Sequence, residues 1–539
     1  LVAMVYAFVQ QVEANTQRAE ALKQTELAKQ NAEEAKRQAQ LAKEAEKVAL
    51  QQEQIAKDAL KAAQIAEAEA KRQAEIAEKQ RQEAVKQEGI AKEREKEAIT
   101  ARKRADIEAE NARKAEKNAN RLRYLAIAKA MAVKSKELDN DPEQQALVAQ
   151  QAYLFNHANA GDPFDNDIYN GLYFALHSNK DPLTLDLEGH ERGAARSLVT
   201  HGSSKQIYSG GSDGKIIKYV EQNERWVAEE LVGQRSDVFQ IYTMDVSPDE
   251  RILLAGGLAV GDASQNYLEL YTLSNMSAAP KKIMGFVGGI EHIEITPDGK
   301  GAYVRDNAGA SIKYTDFNTV KEVITIKDSK ISSFALSPNG NRLAGTGKDG
   351  KLYVWDLRKN YEVKEVFRNG NDSRGKPIPL TCVAFAPDNQ RIVVGDERGL
   401  VRVIVENSTL PPKILSGHRT HIEHAKFNFA GNFLVTTSRD KTARLWNWSD
   451  LTKQPIVMSD NPDWVWSATF TPDDEQLLVG VQSNSENSKE TIHAWPTKIN
   501  TMANRLCGYM KRDRLTDDEW DTFVAPDLPK EVTCPKSKK

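Results

Sequence analysis

Several groups of residues have types and spacings that could do chemistry. Gly345–Lys351 (GTGKDGK) has the spacing of a phosphate-binding loop, in which glycine backbone N–H groups and a lysine cradle a phosphate. Leu352 stands where such a loop needs Ser or Thr, and LYVWDL after it alternates like a strand instead of opening a helix, so the segment reads as a turn. His418, His421 and His424 are spaced like metal ligands, but residues three apart on a strand point to opposite faces. Asp245 and Asp396 lie in strand-like sequence, and no nucleophile and base pair is discernible near them. The residues therefore predict no catalytic, cofactor-binding or metal site. A catalytic reading would need a polar and acidic cluster inside the ring of strands described below, and no local pattern reveals one.

The elements that would position any such groups fall into two textures. The chain of 539 residues is 40% hydrophobic, 7% aromatic and 28% charged, too polar for three packed cores, so part of it must be solvated along its length. All eight Trp lie at or after Trp226, no Pro precedes Pro142, and Gly89 is the only Gly before Gly161. The first quarter thus reads as one helical rod. A net charge of −3 with both signs interspersed leaves no basic field for nucleic acid. Three Cys exclude a disulfide-dense scaffold, and a chain opening on Leu leads us to expect an upstream portion.

Leu1–Val9 (LVAMVYAFV) is uninterruptedly apolar, about half the length of a membrane span. It reads either as the last turns of a membrane helix or as the first contact of a coiled coil. From Ala14 to Ala126 alanine recurs at every seventh residue, a heptad stripe that keeps facing a partner only if the helices supercoil left-handedly. No Pro or Gly-rich break lets the rod fold back, so the expected partner is a second copy: a homo-oligomer through a coiled coil over residues 11–138. Roughly 125 residues of helix would span about 190 Å, the dimension of a spacer. A single solvated helix held by Glu–Lys pairs is the alternative, but it needs no constant alanine stripe.

Asp139-Asn140-Asp141-Pro142 ends the rod and caps the next helix, with Asp141 at the N-cap and Pro142 at its first position. Gln144–Asn156 and Ile168–His177 read as short amphipathic helices that pack with the end of the rod as an adaptor. After Pro182 the chain changes to short alternating strands. A turn signature recurs at Ser247 (SPDE), Thr296 (TPDGK), Ser337 (SPNGN), Ala386 (APDNQ), Asn428 (NFAGN) and Thr471 (TPDDE), with a first member at Gly202. Spacings of about 41 to 49 residues match a four-stranded blade, and seven blades can close into a ring without long free edges.

The strands that follow these turns carry a resemblance to WD-repeat propellers: SDGKIIKYV at Ser212, GKDGKLYVWDL at Gly347, SRDKTARLWNW at Ser438 and TIHAWPT at Thr491. The resemblance implies that His418, Thr436, Asp440 and Trp446 form a buried hydrogen-bonded structural tetrad, and that His190, Ser209 and Asp213 repeat it with Tyr219 replacing Trp. Leu183–Leu187 would then be the outer strand of the last blade, closing the ring. The stretch LAIAKAMAVKSKELDNDPEQQALVAQQAY also resembles the linker between a membrane segment and a WD-repeat propeller in bacterial STAND-type proteins, signal-transduction ATPases with numerous domains. The end of the chain is similar to their closing motif through Cys507, Leu515, Thr516, Glu519, Trp520, Thr533, Cys534 and Pro535, with Arg514 where that family usually has Asn.

Thr516 and Glu519 form a capping box, so Asp517–Val524 is expected to be a helix that buries Phe523 and Trp520, the latter the tail's anchor. Cys507 and Cys534 either pair or remain two packed thiols. The expected architecture is a long α-helical coiled coil, a small helical connector and an all-β seven-bladed WD-repeat propeller. Its divisions are the end of a membrane helix at 1–10, coiled coil at 11–138, connector at 139–181, propeller at 182–498 and helical tail at 499–539. The expected function is a non-enzymatic interaction or sensing module, the sensor half of a STAND-type protein, or a structural tether of a bacterial cell-envelope machine. A protein ligand is expected on the propeller loops, with Gly257–Tyr267, Arg368–Pro379 and Gln482–Glu490 departing furthest from the repeat. N-terminal anchoring would make the chain single-pass and membrane-associated, with the propeller on either side of the membrane and the extracytoplasmic side favoured.

Overall fold

The turn signatures owe their composition to one local geometry. Ser247, Thr296, Ser337 and Thr471 each place a hydroxyl where it accepts the N–H five residues on, at 2.9–3.2 Å, and the Asn428 side-chain carbonyl does the same for Phe433 at 2.8 Å. The fourth residue of the turn has a positive φ, which glycine supplies at 299, 340 and 431. These reversals join the first and second strands of consecutive four-stranded antiparallel sheets in a computed structural model. The structure describes residues 88–535 apart from 191–192, 203, 262–265, 308–310, 327–329 and 483–489, together with scattered helical positions between residues 10 and 72. Leu1–Val9 and most of the alanine-heptad segment lie outside the described residues. Among the described residues no helix is long and apolar enough to cross a membrane.

The chain divides into two compact units, residues 164–506 and residues 1–163 with 507–539. The first is a seven-bladed propeller. Blade one is β2 (Ala195–Thr200), β3 (Gln206–Gly211), β4 (Ile216–Gln222) and β5 (Arg225–Val232), and the next five blades repeat this order through β25 (Ile456–Met458). The innermost strands of blades two to six are β6 (Phe239–Val246), β10 (Ile290–Ile295), β14 (Ile331–Leu336), β18 (Leu380–Phe385) and β22 (Ile422–Phe427). Blade seven takes β26 (Val465–Phe470), β27 (Gln476–Val481) and β28 (Glu490–Pro496) from the end of the ring, and its outer strand β1 (Leu187–Glu188) from the beginning. Alternate side chains of neighbouring blades interlock as apolar clusters, one of which joins Leu187, Ile217 and Tyr219 to Leu478 and Ile492 across the closure.

The closing strand is shorter and later than Leu183–Leu187. Pro182–Thr184 winds into a 3₁₀ turn because Asp181 accepts the Leu183 N–H at 2.8 Å. Arg505 fixes that carboxylate at 2.8 Å from helix α4 (Ile499–Leu506). The three-helix adaptor is also divided, because helix α3 (Asn166–Ser178) belongs to the propeller unit. Its Tyr173 stacks on Trp495 at 4.0 Å, and Tyr169 donates to the Pro496 carbonyl at 2.7 Å. A short amphipathic helix shows in sequence which face is apolar, but not which surface covers it.

The second unit contains α1 (Glu88–Ser135), α2 (Pro142–Ala158) and α5 (Asp517–Phe523). Asp141 caps α2 by accepting the Gln144 N–H at 3.0 Å, and Thr516 and Glu519 cap α5 reciprocally. Trp520 is 1% exposed, edge-on to Phe155 with centroids 6.1 Å apart, and its indole donates to the Leu528 carbonyl at 3.2 Å. Glu519 accepts from Gln144 at 2.9 Å and Arg512 at 2.6 Å, while Thr533 donates to the buried Gln151 at 2.7 Å. Cys507 and Cys534 are bonded, closing a loop with a sequence separation of 27 residues. A loop of that length stabilises by about 3–4 kcal/mol in the chain-entropy account.

Two outcomes follow from this packing. Deleting Leu183–Leu187 removes part of the closing segment and exposes the β28 edge, so thermal unfolding should show aggregation or a large drop in Tm; an unchanged Tm would mean that the ring closes by another contact. Trp520→Ala should cost about 3–5 kcal/mol of the second unit's stability. Trypsin should then cut at Lys511 and Lys530 while propeller fragments keep the parent's resistance, and unchanged cleavage would refute the anchoring role.

Candidate functional site: the axial channel and its mouth

Each blade is a separate sheet, so its innermost strand has one edge without a ladder partner. Those edges face the propeller axis, where unpaired backbone N–H groups need acceptors. Side chains from the preceding blade supply several: Ser197 Oγ accepts from Met244 N–H at 2.9 Å, Asp245 from Ile295 at 2.7 Å, Glu294 from Leu336 at 2.5 Å and His424 Nδ1 from Ala468 at 3.3 Å. Thr381 donates in the same sense to the Ile422 carbonyl at 2.6 Å. Because equivalent positions touch, the innermost strands run side by side in one direction around a channel of about 980 Å³.

Every innermost strand also carries a β-bulge at the same place. The ladder register slips at Arg196, Tyr242, Glu291, Ser332, Thr381, Glu423 and Trp466. A bulge sets two residues against one and re-aims the extra side chain. All seven of these residues line the channel, at the end where the strands begin. Around this mouth, rings and guanidinium groups alternate. Arg196 lies over Trp466 at 3.7 Å and over Tyr242 at 5.0 Å, and Arg439 lies over Trp464 at 4.8 Å and Trp466 at 5.5 Å. Arg439 is ion-paired with Glu423, and Arg305 with Glu291 at 2.7 Å. Lys330, Lys348 and Glu397 complete the charged lining of the mouth.

Deeper in the channel lie Asp245, Glu294, His424 and Lys426. Burial, reinforced by Glu294, pushes the Asp245 carboxyl up to about 7. Burial and the neighbouring Lys426 push His424 down to about 3, and burial lowers Lys426 itself. A polar cluster that includes Asp245 does line the axis, although no local pattern in the sequence reveals it. Its members bond to the next blade: Lys426 donates to Thr469 at 3.1 Å, much as Asp245 and Glu294 accept from it. They satisfy strand edges, and among the described residues no three His, Cys, Asp or Glu are grouped to hold a metal ion. The phosphate-loop look-alike is the β15 (Arg342–Gly347) to β16 (Lys351–Asp356) turn.

The structure brings His418, Thr436, Asp440 and Trp446 together. An indole N–H can only donate, which fixes the direction of the chain. Trp446 donates to Thr436 at 2.9 Å, Thr436 to His418 Nε2 at 2.8 Å, and His418 Nδ1 to Asp440 at 3.0 Å. Burial lowers the His418 pKa; bonds from His418, Thr442 and the Arg419 N–H hold Asp440 well below the usual carboxylate range despite burial. In blade one His190 contacts Asp213 at 3.0 Å and Ser209 at 2.7 Å, while Tyr219 donates to the Glu188 carbonyl of the closing strand at 3.2 Å. Blades two, three and five, which lack the set, carry buried carboxylate–cation pairs: Glu269 with Arg235 at 2.5 Å, Asp306 with Lys313 at 2.8 Å and Asp396 with Arg402 at 2.8 Å. His421 stands apart at the mouth.

The bulge ring was missed by sequence reasoning, although a signal existed. Tyr242, Glu291, Ser332, Thr381, Glu423 and Trp466 each stand five residues before a turn signature, and Asp245, Glu294, Lys426 and Thr469 stand two before one. The irregular segments also share an end. Gly257–Tyr267 and Gln482–Glu490 join second to third strands and Arg368–Pro379 joins one blade to the next, connections that all open at the mouth. Residues 262–265 and 483–489 of these segments lie outside the described residues.

The family model for the WD domain, G-beta repeat, matches residues 320–356 and 410–447. Each match begins on the outer strand of one blade and ends on the third strand of the next, the same phase shift that gives blade seven its outer strand from the start of the ring. Human apoptotic protease-activating factor 1 is 26% identical over 168 residues, which cover 30% of this chain and 13% of that protein. WD repeat-containing protein 70 of Xenopus laevis is 26% identical over 139 residues, covering 24% of this chain and 22% of that protein. The chain thus spans less than a quarter of either relative. A crystal structure of the WD40 beta propeller domain of Doa1 covers 58% of this chain and 95% of its own, at TM-score 0.46 and 15% identity. The chain carries WD40 repeats, and they form a seven-bladed propeller.

Proposed function

We propose that the chain is a non-enzymatic protein-interaction module that engages a protein partner on the mouth face of its propeller. The observation that carries this reading is the convergence on one face of the bulge ring, the half-exposed Trp464 and the strand ends that flank the three most irregular connections. Exposed aromatic and Arg side chains set beside variable loops are the usual makings of a protein contact. The buried tetrad and the carboxylate–cation pairs serve to hold strand turns in place. In the fuller reading the chain is the sensor half of a STAND-type signalling protein. The partial match to apoptotic protease-activating factor 1, a STAND protein, supports this, as do the connector and tail motifs. The heptad alanine stripe supports a self-associating stalk, with the apolar Leu1–Val9 at its membrane-proximal end. The same stalk and ring would equally suit a tether in a cell-envelope machine.

Two measurements test this. Trp464→Ala in the full chain should lose a bound protein partner, whereas Leu410→Ala, 76% exposed beside β21 (Lys413–Leu415) at the opposite end of the blades, should retain it; equal losses would refute the choice of face. In sedimentation equilibrium the full chain should be oligomeric and a chain lacking residues 11–120 should not. A monomeric full chain across the concentration range would refute the stalk.

A further inference from the structure

We propose that the channel mouth receives an acidic side chain from a peptide segment of a partner protein, and that Arg196 is the residue that binds its carboxylate. The proposal rests on the reading of the mouth face as a protein-binding surface and names the chemistry of what it takes.

Arg196 is the bulge residue of blade one, and its neighbours around the ring are the bulge residues of blades seven and two, Trp466 and Tyr242. Their rings occupy the neighbourhood of the guanidinium, at 3.7 and 5.0 Å. Stacking against aromatic faces leaves the N–H groups at the guanidinium edge, the geometry that meets a carboxylate through two parallel hydrogen bonds. The other two arginines of the mouth are committed, Arg439 to Glu423 and Arg305 to Glu291. Among the described residues Arg196 has cation–π contacts and no carboxylate within ion-pair distance. Burial disfavours its charged form, with Tyr242, Glu423 and Glu291 opposing that effect and Arg439 adding to it; the cost that remains is one an incoming anion would offset.

The surroundings favour the same ligand. The mouth lining holds five lysines and arginines against three glutamates, while the chain as a whole is net negative, so an acidic segment is drawn to this end of the channel. A volume of about 980 Å³ suits a side chain and its immediate neighbours, not a folded domain. The exposed part of Trp464 beside the opening offers the apolar contact that a peptide, unlike a free anion, can use.

The test is to pan a phage-displayed random dodecapeptide library on the full chain, then measure the selected synthetic peptides by fluorescence anisotropy. The expected result is enrichment of Asp- or Glu-containing peptides that bind Arg196→Gln about ten- to a hundredfold more weakly than the parent. Replacing the acidic residue by its amide should weaken binding to the parent chain by a similar factor, an arm that stands even if Arg196→Gln fails to fold. Peptides that lose binding with Trp464→Ala, yet are indifferent to the acid-to-amide change, would overturn the carboxylate while leaving the mouth as the interaction face. Selected peptides insensitive to both Arg196→Gln and Trp464→Ala, or no selected peptides at all, would overturn both readings.

Discussion

Seven sheet edges converge on one axis, and the need to satisfy their backbone groups shapes the propeller's interior. A blade pairs its first strand on one side only, so the other edge must find donors and acceptors where little water fits. Short polar side chains answer at Ser197 and Thr381, and charged or titratable ones at Asp245, Glu294 and His424. The second group accounts for buried ionisable residues on the axis without invoking catalysis. For Asp245 and His424, burial in a narrow channel disfavours the charged form and shifts their protonation.

The same fold pins its strand turns in two ways. Blades one and six use a histidine relay; a donor-only indole sets its direction in blade six, and in blade one a tyrosine links it to the closing strand. Blades two, three and five use a carboxylate against Arg or Lys, a solution that needs good geometry because both charges leave water. Tyr219 shows how the two roles merge. By donating to Glu188 it ties blade one's relay to the strand that closes blade seven, where the Trp446 indole in blade six donates only to Thr436.

What could be read from sequence was local. The turn signatures were legible because one hydroxyl or amide oxygen and one positive-φ residue define them within a few positions, and the α5 cap because Thr516 and Glu519 lie three apart. The closing strand was displaced because Pro182 and Asp181 set a 3₁₀ turn inside an alternating apolar run. Helix α3 went to the wrong neighbour, since Tyr169 and Tyr173 declare a buried face without naming Trp495 as its cover. The channel cluster was invisible for a different reason. Its members are one blade apart in sequence, each unremarkable in its own strand, and only the shared offset from the turns relates them.

The bulges have a consequence for how such a molecule can change over evolutionary time. A ladder residue is held by its pairing and by the blade packed against it, whereas a bulge residue has no opposite number. Backbone geometry fixes where its side chain goes and leaves open what that side chain is. In this chain the seven places hold Arg, Tyr, Glu, Ser, Thr, Glu and Trp, a spread of chemistry on one repeated scaffold. Single substitutions there, Thr381 with its bond to the Ile422 carbonyl apart, would rewrite the opening one position at a time, so new preferences could be explored with little risk to the architecture that displays them.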